Sequence, residues 1–237
     1  MNRKFCLLPL LICLALPAWA ETPLTPHAAR YKVKISVLGG ELNTQLRQTA
    51  TGFEATHVIR ATGMTRLFTR GRIAETSEFD VAPDGVKPRH YTSRDSLTRD
   101  KINADIDFDW DAGEARGTVN GEELVSAING LVHDRVSIQY EVMQDLLNGE
   151  PSELYTMFEV DRLRPVNITM LGEKQVNVPA GKFHVIGIRH QAEGSKRATT
   201  LWCSEALGYL PVVIEQHRKG ELRVRATLLE YIPETGG

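Results

Sequence analysis

Met64, Leu67 and Phe68 stand among small polar residues, with Arg66 between them and Arg70 and Arg72 just beyond. Apolar side chains beside guanidinium groups suit an amphiphile, the former touching its tail and the latter its anionic head. Methionine adds a flexible, adaptable apolar contact. Met64, Arg66, Leu67, Phe68 and Arg70 are therefore candidate ligand-binding residues forming an entrance lid. The plainer reading of Gly63 to Phe68 is a loop closing one end of a barrel. Arg94 joins the candidates through the basic stretch Arg89, His90, Arg94, Arg99 and Lys101, interrupted by Asp95 and Asp100. Exposed basic residues attract anionic membranes by about 1 kcal/mol each. A solvated edge strand or loop explains the same stretch without a ligand.

Other chemistry-bearing residues point to structure. Asp105, Asp107, Asp109 and Asp111 suggest calcium, but the glycine and the distal acid of an EF-hand-like loop are missing from either possible frame. His184 and His190 are separated by roughly 20 Å of strand, too far for one ion. Asp134 reads as a helix cap before it reads as a catalyst beside His133. Cys203, next to Trp202 in an apolar segment, reads as a buried, inert thiol. There is no G-x-S-x-G elbow, no S-x-x-K motif and no phosphate-cradling glycine loop. No catalytic residue, metal or cofactor is assigned.

The elements that must position these residues are mostly strands. Tyr31, Val33, Ile35 and Val37 alternate with polar residues, and Gly39-Gly40 reads as the turn into Glu41–Gln48. Ile102, Ala104, Ile106, Phe108 and Trp110 alternate with Asn103 and the four aspartates, placing acids outward and apolar residues inward. Counting similar segments to Tyr231 gives about twelve strands joined by short turns, hence antiparallel. One helix is expected: Asp134 caps it, Val136, Tyr140, Met143 and Leu147 form its stripe, and Asn148-Gly149 ends it before Pro151. The fold class is mainly β, an antiparallel, strongly curved sheet or barrel wrapped around one principal α-helix. Such a sheet offers a concave face for apolar ligands.

Arg3 and Lys4, the apolar run Phe5–Leu16, Pro17 and then Ala18-Trp19-Ala20 have the layout of a secretory signal peptide. Residues 1–20 are assigned to it, and 21–237 to one mature β-rich domain. The run is too short to span a bilayer, which takes about 20 residues, and no transmembrane anchor is expected. The 237 residues less those 20 leave 217, and the loss of Arg3 and Lys4 takes Lys plus Arg from 28 to 26 against 30 acids, a net charge of −4. That charge argues against a nucleic-acid partner. Only Cys203 remains, so no internal disulfide can form and the core must supply the stability.

Several segments resemble one bacterial exported family, domain of unknown function 3108. They are Phe108-Asp109-Trp110, the helix-opening Asp134–Tyr140, the Val178-Pro179-Ala180-Gly181-Lys182-Phe183 hairpin, and Leu201-Trp202 followed by Gly208-Tyr209-Leu210-Pro211-Val212. The resemblance runs from about Tyr31 to Tyr231, and Val136 is a departure from the pattern. It implies an architecture similar to curved-sheet proteins that carry or sense lipoproteins in bacterial envelopes, and no established activity.

Three functions follow as expectations. The first is a periplasmic, non-enzymatic protein that binds a lipid, an acylated chain or another hydrophobic envelope component in its concavity. The second is a scaffold for an envelope protein partner in envelope assembly or polysaccharide export. The third is a hydrolase, with His133, Asp134, His90 and Arg94 as the residues to examine.

Overall fold

The computed structural model describes residues 24–234 except Val37 and Phe68. The signal-peptide assignment, residues 1–20, lies outside them. Among the described residues, fourteen strands form one antiparallel sheet: β1 (His27–Ile35), β2 (Leu38–Thr49), β3 (Gly52–Ala61), β4 (Arg72–Ala82), β5 (Gly85–Asp95), β6 (Asn103–Asp109), β7 (Glu114–Val119), β8 (Glu122–Ala127), β9 (Leu154–Phe158), β10 (Leu163–Val178), β11 (Gly181–Ala192), β12 (Arg197–Ser204), β13 (Leu210–Arg218) and β14 (Glu221–Pro233). Helix α1 (Ser137–Asn148) lies between β8 and β9. Each strand pairs with the next in sequence except β8 and β9, which are the two edges, and β1 also pairs with β14.

The sheet is therefore open, and the expected alternative of a closed barrel is corrected. Its two halves nevertheless meet. Phe108 of β6 meets Phe158 of β9 edge-on, with ring centroids 5.8 Å apart. His133 forms an isolated parallel bridge with Met157. The His133 N–H donates to the Thr156 carbonyl at 2.9 Å, and the Phe158 N–H donates to the His133 carbonyl at 2.7 Å. The connection from β8 to α1 thus covers part of the β9 edge, which limits its availability to foreign strands.

The count of about twelve strands is also corrected. Glu122–Ala127, now β8, was not expected as a strand; it is short, and its burial alternates only between exposed and half-buried positions. Gly39-Gly40, expected as a turn, lies inside β2, with Gly40 opposite both Val33 and Ala61. The chain reverses at Ser36, whose φ is 55°. A Cβ on Gly40 would lie 3.1 Å from the Arg60 carbonyl oxygen, so this glycine serves close strand approach. The sharp alternation of β6 is as expected: Ala104, Ile106 and Phe108 are buried while Asp107 and Asp109 face water. Register shifts at Arg30/Tyr31, Glu78/Phe79 and Trp202/Cys203 add local bends to the long sheet.

Helix α1 is buried on two faces. Tyr140 and Met143 join the main core with Leu46, Phe79, Ile106 and Leu228. Ile138, Val142 and Leu146 join a second cluster with Tyr155, Val166, Ile188 and Cys203. The stripe Val136, Tyr140, Met143, Leu147 thus describes only one of two apolar faces. Each large side chain so buried contributes about 1.5–3 kcal/mol. Gly149, with φ 76°, ends the helix in the left-handed conformation.

Asp134 holds the start of this helix. Its Oδ1 accepts from the Val136 N–H at 2.7 Å and the Ser137 N–H at 2.9 Å. Ser137 Oγ accepts in return from the Asp134 N–H at 2.9 Å. Oδ2 accepts from Ser77 Oγ of β4 at 2.5 Å, tying the helix to the sheet. Asp134→Ala removes the cap and leaves a buried hydroxyl unpaired, an expected loss of about 3 kcal/mol. Urea unfolding checks this, with Asp134→Asn losing less because it keeps an acceptor.

Candidate functional site

The inward face of the sheet leaves a cavity of about 190 Å³ beside the first turns of α1. Its apolar wall comes from both halves of the chain. Leu42 of β2 lies opposite Ile59 of β3. Leu201 of β12 lies opposite Ile188 of β11 on one side and Ile214 of β13 on the other. Ile138 and Val142 of the helix face the same space. Leu42 and Ile59 have the parity of the buried Leu46 and Ala55 on their strands, whereas β11, β12 and β13 bury residues of both parities.

A few polar groups interrupt this wall. Arg135 Nε lies 3.3 Å from Glu75 Oε1, which also accepts from the Tyr91 hydroxyl at 2.7 Å. His57 and His190 face the cavity as well. Burial pushes both imidazoles down to about 4, so both are neutral near pH 7. The Nε2 of His57 is buried without a hydrogen-bond partner among the described residues. A largely apolar cavity with a few converging polar groups is the usual form of a small-molecule site.

Arg135, Ile138 and His190 also line a wider groove of about 570 Å³, which continues past Arg162, Arg164 and Val166 to Arg197 and Gln216. Arg197 and Gln216 in turn belong to a recess of about 460 Å³ completed by Arg218, Lys219 and Arg223. Shared lining residues therefore set an apolar interior, a groove and a basic exterior side by side. Register places this exterior at one end of the sheet. Ile35 pairs with both Leu38 and Val224, so the β1–β2 and β13–β14 turns lie together. Arg197 pairs with Arg218, adding the β11–β12 turn.

The same end carries the Ala61–Arg72 connection, since Gly40 of β2 pairs with Ala61. There, Gly63–Leu67 forms a short 3-10 helix instead of an irregular loop. Thr65 anchors it, its Oγ1 accepting from the Gly39 N–H at 2.9 Å. Arg66, Leu67 and Arg70 line a recess of about 770 Å³ with Glu41, Arg60 and Arg72. Met64 is 74% exposed and is not among that lining. Phe68 lies outside the described residues. Arg94 is placed elsewhere: it bonds Asp105 at 2.7 Å and the Ala104 carbonyl at 2.6 Å on the outer face of β5 and β6. The structure thus gathers Arg66, Leu67 and Arg70 but separates Arg94 from them.

The residues considered for hydrolysis are not gathered into one place. His90 Nδ1 lies 2.7 Å from Asp107 on the outer face, beside the Arg94–Asp105 pair. His133 and Asp134 are buried at the start of the helix. Desolvation raises the Asp134 carboxyl, against the pull of its hydrogen bonds from Ser77 and the helix. The Cys203 thiol is buried and pushed up by burial, in line with the expected inert cysteine.

Glu141 is the buried acid with the clearest consequence for stability. Its Oε2 accepts from the Val86 N–H at 2.5 Å, and its Oε1 lies 4.0 Å from His133 Nε2. Burial pushes its pKa up to about 7. The folded state then binds the proton more tightly than the unfolded chain. The resulting stabilisation is full below the ordinary value of 4.5 and is lost as pH rises through 7. Glu141→Gln keeps an oxygen acceptor without the charge. It is expected to be about 2 kcal/mol more stable than the parent at pH 8 and nearly equal at pH 4.5, by urea titration.

A curled, fourteen-stranded antiparallel sheet with a cavity on its inward face defines a β-barrel-like protein. The chain belongs to the DUF3108 family of proteins of unknown function, whose model matches residues 28–227. A β-barrel-like protein of the DUF1849 domain from Brucella abortus is similar in fold, with a TM-score of 0.60 and 14% identity over 91% of this chain and 100% of that one. A Bacteroides fragilis protein with a YmcC-like fold aligns at a TM-score of 0.31 and 13% identity, over 86% of this chain and 94% of that one. No curated protein matches the sequence.

The sequence reading missed the cavity. The segments holding Leu42, Ile188 and Leu201 read as strands, but strand patterning carries no signal for which residues remain without a packing partner. That depends on how far α1 reaches between the two halves of the sheet.

Proposed function

We propose that the protein is an exported, periplasmic, non-enzymatic carrier of a lipid, an acylated chain or another hydrophobic envelope component. The sheet wraps around α1 and leaves room for the apolar part of the ligand. The observation that carries this reading is the cavity walled by Leu42, Ile59, Ile138, Val142, Leu201 and Ile214, joined by a groove to the exterior. The described residues contain no helix long and apolar enough to cross a membrane.

The test is titration of the purified protein with a fluorescent fatty acid whose emission rises in apolar surroundings. Saturable binding of one probe per chain, displaced by unlabelled fatty acid, is expected. A linear, unsaturable signal would count against the cavity. Arg66 and Arg70, with Leu67, border the same end of the sheet and would steer an anionic amphiphile towards it. Arg66→Asp with Arg70→Asp is expected to weaken binding of an anionic probe two- to threefold, with the difference vanishing at high salt. Thermal unfolding should be unchanged, and affinity that does not move at low salt would remove these residues from the approach.

A further inference from the structure

Arg197 and Arg218 are directly opposite each other in the β12–β13 ladder. Like charges in that position destabilise a sheet. Nearby, the Lys219 N–H bonds the Lys196 carbonyl at 2.9 Å, so two lysines join the same corner. Among the described residues, no carboxylate lines the recess formed by Arg197, Gln216, Arg218, Lys219 and Arg223. Glu221 lies in the hairpin but pairs with Arg223. Arginines along the groove are different. Arg135 faces Glu75 at 3.3 Å, and Arg164 faces Glu159 at 2.6 Å. Positive charge is therefore neutralised along the path, whereas at its outer end only Arg223 is paired, and Arg197, Arg218 and Lys219 have no carboxylate partner among the described residues.

The recess adjoins the groove, and the groove adjoins the cavity. The recess shares Arg197 and Gln216 with the groove, and the groove shares Ile138 and His190 with the apolar interior. The recess beside Arg66 and Arg70 shares no lining residue with that interior. We infer that the carried ligand has an anionic head of the phosphate-monoester class, held by Arg197 and Arg218 while its tail passes His190 into the cavity. This rests on the carrier reading above. Two opposed guanidinium groups offer paired donors to phosphate oxygens, and a dianion between them removes their repulsion.

The experiment is calorimetric titration with decyl phosphate, decyl glucoside and inorganic phosphate, each decyl compound below its micelle concentration. Decyl phosphate is expected to bind at least tenfold more tightly than the uncharged glucoside. Arg197→Glu should abolish that advantage and leave glucoside binding unchanged. Because the substitution replaces a repulsive cross-strand pair with an attractive one, its melting temperature should equal or exceed the parent's, which separates lost binding from lost folding. Equal affinity for the two decyl compounds would overturn the head-group assignment and leave the carrier reading intact. So would an equal loss of the advantage in the Arg66→Asp, Arg70→Asp protein. Inorganic phosphate binding as tightly as decyl phosphate would show a free-anion site with no part for the tail, overturning the inference. Failure of both decyl compounds to bind would overturn the carrier reading itself.

Discussion

At pH 4.5 the protein is expected to have lost on the order of 5 kcal/mol of the stability it has at pH 7.5. Three histidines carry the effect. Burial pushes His57, His133 and His190 each down to about 4 from the ordinary 6.5. They are neutral in the fold over a range where the unfolded chain is protonated. Unfolding then takes up protons, so stability is full above 6.5 and falls as pH drops towards 4. Full shifts at all three sites would amount to roughly 10 kcal/mol. The cavity surface kept by His57 and His190 lowers that figure, because solvent there screens the charge. Glu141 works in the opposite direction between 7 and 4.5, with one proton against three. The remaining loss is comparable with the whole stability of an ordinary domain, about 5–15 kcal/mol. Urea unfolding at half-unit steps of pH checks it. His57→Gln and His190→Gln should each flatten the acid limb, and a pH-independent midpoint from 7.5 to 4.5 would show that the histidines titrate freely in the fold.

Filling the cavity is expected to lower affinity for an alkyl ligand about fiftyfold. Leu201→Trp puts a larger side chain into space bordered by Ile188, Ile214 and Val142. Displacing three methylenes of a tail costs about 2.4 kcal/mol, at roughly 0.8 kcal/mol each. Stability should change by less than about 1 kcal/mol, because the added ring occupies a void instead of forcing packed atoms apart. Leu222→Trp is the control: Leu222 is 49% exposed on β14 and does not line the cavity. Titration with the fluorescent fatty acid reads both variants. Full binding by Leu201→Trp would place the alkyl chain elsewhere.

Local pattern made much of this fold legible. β6 could be read residue by residue, since each aspartate alternates with a buried neighbour. The helix could be read too, because Asp134 supplies the cap and Asn148-Gly149 the stop. Non-local facts were not legible. Nothing local distinguishes Gly40, where strands approach closely, from a turn glycine. Nothing around Phe108 announces that it meets Phe158 from the other half of the sheet. The candidate site divides in the same way. Arg66, Leu67 and Arg70 are neighbours in sequence and remain neighbours in space. Arg94 was grouped with them by charge, yet β5 turns it to the outer face and Asp105 pairs with it. The cavity is assembled from β2, β3, β4, β10, β11, β12, β13, α1 and the turn before it, a set that only the folded sheet brings together.

The most direct test of the proposed carrier function is native mass spectrometry of the protein purified gently from its native cells, followed by solvent extraction and lipid analysis. A defined extra mass of one amphiphile per chain is predicted, lost after extraction and greatly reduced in Leu201→Trp. A mass equal to that of the bare polypeptide in the parent protein, with no lipid recovered in the extract, would contradict a resident hydrophobic ligand. It would favour a scaffold that acts through an envelope protein partner.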